Sequence, residues 1–261
     1  MSLSESGSAA NFIELAVSEI ESSYGDIVKV GRKSLHKFGR GESLGTSETE
    51  IFSLNQNETY VSTNAIDSIS SSSGSDTNEI AYEGMTVSGG NFTFVSGTVT
   101  LSGQTKVSLP TAVARLIRAY VNDGANLVGD CYFYEDSAIT SGVPDDLTKV
   151  HNHIPAGDNQ SLKAGTTIAS TNYFLVTSAW AFVNKKTTAS ADIRFKVRPQ
   201  GGVFKTQAVG SLSNSNGGFQ LNFAPYAIIP PNADIFITAQ CSTTAVDVSA
   251  GFMGMFADVM S

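Results

Sequence analysis

The sequence predicts an all-β fold: an antiparallel β-sandwich or jelly-roll-like body preceded by an extended N-terminal arm. Apolar and polar residues alternate through residues 192–197, 219–223, 235–239 and 246–252, which places one set of side chains on a buried sheet face and the other toward solvent. Short turns rich in Gly, Asn, Ser and Pro separate these segments, as is typical of sandwiches and jelly rolls. Charged residues make up only 15% of the chain, which suits sheet faces and turns better than surface helices.

The arm is predicted to span residues 1–45. Residues 1–11 are small and polar, and residues 12–20 fit one face of a helix and a strand equally well. Residues 35–41, Leu-His-Lys-Phe-Gly-Arg-Gly, are the densest basic stretch. An extended, partly basic segment ahead of a β body indicates an arm that packs on a neighbouring subunit; an N-terminal edge strand with a solvated basic turn is the alternative. The candidate interface residues of the arm are Leu35, Phe38 and Arg40.

The body is predicted to span residues 46–261, either as one interleaved unit or as two subdomains at 46–150 and 151–261. Its strands are inferred from short apolar runs bounded by turn residues. The strands that precede those of the last third are predicted at residues 50–54, 59–62, 65–70, 79–83, 85–88, 91–95, 98–102, 106–109, 149–154 and 161–163.

Two segments of the body need separate arguments. Residues 113–121 fit either a helix or a strand, but the Asn-Asp-Gly turn at residues 122–124 favours a hairpin with residues 127–134. Residues 70–77, Ser-Ser-Ser-Ser-Gly-Ser-Asp-Thr, are too polar to pack a core, so an exposed loop is predicted there.

Charge and composition exclude several classes of partner. The net charge of −8 repels phosphate, so no nucleic-acid partner is expected. No run approaches the roughly 18 apolar residues of a membrane helix, and the start of the chain has no signal-peptide pattern, so no membrane partner is expected either. Cys131 and Cys241 each lie in an apolar run and are predicted to be buried thiols; a disulfide between neighbouring strands is the alternative.

The candidate metal ligands are His151 and His153. On a strand, residues two apart share a face, so two imidazoles could chelate Zn or Ni. A third ligand is needed, and the remaining histidine is His36. A solvent-facing pair beside a turn is therefore the preferred interpretation, with ion binding at a symmetry axis of an oligomer as the alternative. No cofactor is predicted.

No constellation of residues predicts catalysis. Paired carboxylates such as Asp145 and Asp146 lie in turn-like sequence, where Asp commonly closes turns. The chain contains no phosphate-binding loop and no nucleophile elbow. The sequence therefore predicts a protein that is not an enzyme, with its function in its surfaces.

Four segments, in a fixed order, resemble motifs of one protein family. They are Leu-His-Lys-Phe-Gly-Arg at residues 35–40, Val-Thr-Leu-Ser-Gly-Gln-Thr-Lys-Val at 99–107, Ile-Pro-Ala-Gly-Asp-Asn-Gln-Ser at 154–161, and the closing stretches 225–235 and 247–252. The family comprises virion structural proteins of tailed bacteriophages, particularly marine ones. Gly41 departs from its usual Asn, and Ser-Gly-Ser-Asp-Thr-Asn replaces its usual Gly-Thr-Gly-Ala-Arg turn.

The resemblance implies a non-enzymatic virion protein. The leading hypothesis is a capsid-decorating or cementing subunit that binds the major capsid protein or other virion subunits and is assembled into the virion in the host cytoplasm. The apolar run at residues 179–183 and the arm predict a homo-oligomer, with a trimer favoured. The alternatives are a phage tail or head-spike component, or a β-sandwich that binds carbohydrate or a cell surface.

Overall fold

A computed structural model describes residues 34–183, 189–213 and 217–259. These residues form eighteen strands and one 3₁₀ turn at Leu147–Lys149, so the predicted all-β class is confirmed. In the described part of the chain no helix has the length and apolar character to cross a membrane. The strands pack as two β-sandwiches, each with its own apolar core.

The inserted sandwich comprises residues 66–154. The strands are β3 (Ile66–Ser71), β4 (Glu79–Ser88), β5 (Asn91–Thr100), β6 (Val107–Val113), β7 (Arg115–Val121), β8 (Cys131–Glu135), β9 (Ile139–Thr140), β10 (Val143–Pro144) and β11 (Val150–Ile154). One sheet has the order β11-β8-β3-β6 and the other the order β5-β4-β7. Their facing side chains form a core that includes Ile69, Tyr82, Leu116 and Phe133.

The terminal sandwich contains strands from both sides of this insertion. The strands are β1 (Ser34–Leu44), β2 (Thr49–Glu50), β12 (Gly165–Thr167), β13 (Asn172–Val183), β14 (Ser190–Arg198), β15 (Lys205–Ser213), β16 (Gly218–Ile229), β17 (Asp234–Cys241) and β18 (Val246–Asp258). The sheet that we call the outer sheet has the order β1-β18-β13-β16. The sheet that we call the inner sheet has the order β12-β17-β14-β15, with β2 paired to β17.

The position of β1 corrects the predicted arm boundary at residue 45. Ser34–Leu44 pairs antiparallel with β18, and its Leu35 packs against the core of the terminal sandwich. The described residues therefore show the alternative interpretation, an edge strand, because the period of two in this segment turns an apolar side chain inward. The rest of the predicted arm, residues 1–33, lies outside the described residues. A division into two subdomains at residue 150 would also separate β1 and β2 from β18 and β17, the strands of the last third with which they pair.

The two cysteines lie in different cores. Cys131 is buried in the inserted sandwich and Cys241 in the terminal one. The prediction of buried thiols is confirmed, and the disulfide alternative fails because the two residues are not on neighbouring strands. Burial raises the pKa of the Cys131 thiol far above its usual value, so this thiol stays protonated and inert.

We expect Ile237→Ala to lower the free energy of unfolding by about 2–5 kcal/mol, the usual range for truncating a buried Ile. Ile237 is 1% exposed in the core of the terminal sandwich. Asp247→Asn should change it by less than about 1 kcal/mol, because Asp247 is a partly exposed ion-pair partner of Arg40 at 3.6 Å. Urea unfolding of both variants measures this. The opposite order of effects would mean that the register of β17 and β18 is shifted by one residue.

Candidate functional site

The expectation that His151 and His153 face solvent is wrong. Both lie on β11, where His151 is fully buried and His153 is 6% exposed. All five residues of β11 are buried, so neither face of this strand is open to solvent. Across residues 34–183, 189–213 and 217–259, no three His, Cys, Asp or Glu side chains come together as ligands for a metal ion.

Each histidine has its own polar partners, and these explain the burial. Nε2 of His151 lies 2.9 Å from Oε1 of Glu135, and its Nδ1 lies 3.4 Å from Oε1 of Glu58. Nδ1 of His153 lies 2.9 Å from the hydroxyl of Ser53. Ser53 and Glu58 belong to the connection between β2 and β3, which runs alongside β11 and covers it.

The three arm candidates fall on opposite faces of β1. Leu35 packs toward the core of the terminal sandwich. Phe38 and Arg40 lie on the other face, where Phe38 contacts His36 at a ring distance of 5.7 Å and Arg40 pairs with Glu42 at 3.1 Å. Phe38 and Arg40 therefore remain on the surface of the outer sheet, whereas Leu35 packs against the core and contributes to stability.

The sandwiches meet at a buried set of ionisable side chains, which we call the junction. Its members are Lys37, Glu50, Glu58, Arg115, His151, Lys163 and Asp234. Its centre is Glu58, whose Oε2 lies 2.6 Å from Nζ of Lys163. Lys163 also donates hydrogen bonds to the carbonyls of Leu116 at 3.2 Å and His151 at 3.0 Å. One lysine thus joins the connection before the inserted sandwich to two of that sandwich's strands.

A second ion-pair group ties β7 to the inner sheet. Nε of Arg115 donates to Oδ1 of Asp234 at 3.0 Å, and both side chains are almost fully buried. Nε of Arg198 donates to Oδ2 of the same carboxylate at 3.0 Å, and the hydroxyl of Thr167 donates to its Oδ1 at 2.6 Å. Asp234 therefore accepts from both sandwiches.

Lys37 reaches the junction from β1. It is 4% exposed, and its Nζ donates to the carbonyl of Ile117 in β7. Burial, together with the charges of Lys163 and Arg118, lowers the pKa of Lys37 to about 7. This edge strand of the outer sheet is thereby bonded to the inserted sandwich.

A cleft with a volume of about 470 Å³ opens beside the junction. Its charged groups are bonded to one another: Nζ of Lys196 lies 2.7 Å from Oε1 of Glu48. Its aromatic rings make cation–π contacts with Arg198, whose guanidinium carbon lies 4.0 Å from the ring centroid of Tyr60 and 5.1 Å from that of Phe204. These ion pairs and ring contacts hold the side chains of the cleft wall in place.

The pKa values of two carboxyl groups of the junction are shifted in opposite directions. Burial alone would raise the pKa of Glu58, but the charge of Lys163 and the hydrogen bond from His151 outweigh it and lower the pKa to about 2. Burial and the charge of Glu58 raise the pKa of Glu50 to about 8. Glu50 accepts hydrogen bonds from the backbone N–H of Glu58 at 2.7 Å and the hydroxyl of Tyr60 at 3.0 Å.

We expect the contribution of Glu50 to the free energy of unfolding to fall as pH rises from about 4.5 to about 8, because the folded state keeps a proton on Glu50 that the unfolded state releases. Above about pH 7 the lowered pKa of Lys37 acts in the opposite direction. Glu50→Gln, which cannot ionise, should remove this part of the pH dependence while leaving the contribution of Lys37. Urea unfolding of both proteins at several pH values in this window measures it. Parallel curves for the two proteins would show that Glu50 is ionised in the folded state.

Sequence reasoning missed the junction. Its residues come from β1, β2, the connection after β2, β7, β11, the segment before β12 and β17, so no spacing motif links them. One local signal was available: in β1 the residue Lys37 shares the inward face of Leu35, which indicates a buried cation rather than a solvated one.

Comparisons with known proteins leave the family open. No family model matches the chain, and no curated protein matches it. Among solved structures, the infectious bursal disease virus VP2 subviral particle is 10% identical over 89% of this chain and 73% of that chain, with a TM-score of 0.24. The T=1 particles derived from that virus give 9% identity, 90% and 76% coverage, and a TM-score of 0.22. TM-scores this low do not establish a shared fold.

Proposed function

We propose that this protein is a structural subunit of a bacteriophage virion, and that it decorates or cements the capsid by binding other capsid proteins. The observation that carries the structural role is the junction. Arg115 of the inserted sandwich pairs with Asp234 of the terminal one. Lys163, which pairs with Glu58, donates hydrogen bonds to carbonyls of β7 and β11. These buried contacts fix the two sandwiches against each other. A rigid two-sandwich body is suited to presenting fixed surfaces to neighbouring subunits.

The virion setting rests on the sequence resemblance, and the structure gives its motifs a physical role. In the third motif, Oδ1 of Asn159 accepts from the backbone N–H of Leu127 at 3.1 Å, and the hydroxyl of Ser161 accepts from the N–H of Ala119 at 3.0 Å. This motif fixes the path by which the chain leaves the inserted sandwich. The residues of this motif therefore have a structural role in this chain, which agrees with the proposal of a structural protein.

We expect the purified protein to form a homo-oligomer, with a trimer favoured. Trp180 and Phe182 of the apolar run at residues 179–183 face outward from β13, whereas Ala179 and Ala181 face the core. Multi-angle light scattering at micromolar concentration should give a mass of about three times the 27.4 kDa chain. A stable monomer that also fails to bind capsids would contradict the expectation.

The proposed function is tested by quantitative mass spectrometry of virus particles purified from cells infected with the virus that encodes the chain. The protein should be present in many copies per particle, in a fixed ratio to the major capsid protein. Its presence in the infected-cell lysate but not in purified particles would refute the proposal.

A further inference from the structure

The outer sheet of the terminal sandwich turns an apolar face to the surface. Four large apolar side chains on it are substantially exposed: Ile228 (55%), Phe182 (47%), Met253 (39%) and Tyr173 (38%). The strand β16 at its edge contains no charged residue. Charged residues and short strands are the usual protection of an exposed edge, and an apolar patch of this kind indicates a binding surface.

The centre of this face is an ordered aromatic cluster. In the sheet register Phe38 lies opposite Gly251, which lies opposite Trp180. A Cβ on Gly251 would lie 2.6 Å from Cζ2 of Trp180, so the glycine is what allows the indole to lie across β18. The indole ring then lies 6.2 Å from the ring of His36 and 5.5 Å from that of Phe182.

The chain supplies an apolar segment that can reach this face. Ser34, the first described residue, lies opposite Met255, so the chain enters the outer sheet at one end of the face. Residues 12–20 precede it and are mostly apolar. Their apolar members are Phe12, Ile13, Leu15, Ala16, Val17 and Ile20.

The intervening chain is long enough. Residues 21–33 can span up to about 45 Å when extended. A strand of the length of β13, Asn172–Val183, is about 40 Å long, and four strands are about 14 Å across between their outer axes. Residues 12–20 can therefore reach any part of the face on their own chain, and also that of an adjoining copy.

We propose that residues 12–20 bind the apolar face of the outer sheet of their own chain and cover Trp180. The segment matches the exposed apolar side chains of the face, since six of its nine residues are apolar and burial of apolar surface is favourable in water. The proposal concerns the isolated protein and holds whether or not it is a virion subunit.

Trp180 is the sole tryptophan of the chain, so its fluorescence reports directly on this face. In the full chain, the combined substitutions Phe12→Ser, Leu15→Ser and Ile20→Ser should shift the emission maximum to longer wavelength and raise the acrylamide quenching constant about twofold or more. The matched control is Val128→Ser with Val203→Ser, two exposed apolar residues elsewhere, which should change neither quantity.

A second measurement separates loss of binding from loss of folding. A synthetic peptide of residues 8–24 added to the triple variant should restore the emission of the unsubstituted chain, and the same peptide with the three serines should not. Protection of Trp180 should persist on dilution to nanomolar concentration, because the segment belongs to the same chain. Protection that is lost on dilution would assign the occupant to a neighbouring copy and would overturn the proposal. Unchanged emission and quenching in the triple variant would overturn it as well.

Discussion

A chain that lacks residues 1–41 is expected to lose the fold of the terminal sandwich. The deletion removes most of β1, so the backbone of β18 loses its partner from Gly41 to Ser34. It also removes Leu35 from the core and Lys37 from the junction. These losses together are comparable to the total stability of a domain, about 5–15 kcal/mol. Circular dichroism and thermal unfolding should show no cooperative transition for this sandwich.

The matched control is a chain that lacks only residues 1–33. It keeps every described strand, so it should unfold cooperatively, with β1 still paired to β18. If the shorter chain, without residues 1–41, unfolded at the same temperature as this control, β1 would be a dispensable arm, and its place in the sheet would be contradicted.

Lys163→Met is expected to lower the free energy of unfolding by about 3–5 kcal/mol, the cost of removing one partner of a buried ion pair. The substitution keeps most of the side-chain volume but leaves the carboxylate of Glu58 without its cation at 2.6 Å. The carbonyls of Leu116 and His151 lose a donor as well. Urea denaturation at neutral pH measures the change.

Lys196→Met is the matched control for this variant. Lys196 also makes a close ion pair, with Glu48 at 2.7 Å, but both side chains are partly exposed. Its loss should cost no more than about 1 kcal/mol. Equal effects of the two substitutions would show that the junction is open to solvent and does not lock the sandwiches together.

The strands of the last third could be predicted because their alternation has a simple cause. In β17, Ile235 and Ile237 face the core of the terminal sandwich, while Phe236 faces Lys163 on the other side of the sheet. The segment 113–121 was also predicted correctly as strand, and it forms the end of β6 and all of β7. Its predicted hairpin with residues 127–134 is wrong, because β7 pairs with β4 and β8 pairs with β3 and β11.

Other features depend on contacts that are distant in sequence. Residues 70–77 were predicted to be an exposed loop, yet Asp76 is 1% exposed. Its carboxylate accepts hydrogen bonds from the backbone N–H groups of Val128 and Gly129, at 2.8 and 3.0 Å. A polar residue can be buried wherever such donors converge, and these donors lie more than 50 residues away along the chain.

The junction also depends on contacts between residues that are distant in sequence. Glu58 and Lys163 are separated by the whole inserted sandwich, and each alone is typical of a solvated charge. The pairing becomes predictable only when the insertion is recognised. That in turn requires knowing that β1 and β2 belong with strands that follow residue 160.

A density map of purified virus particles tests the central claim, that this chain is a structural subunit of the virion, most directly. The account predicts symmetry-related density that fits the two sandwiches as one rigid body, in contact with the major capsid protein on the head. Density of this shape on the tail or a head spike would keep the virion role and reject capsid decoration. A map in which every component is assigned and none fits the two sandwiches would contradict the claim.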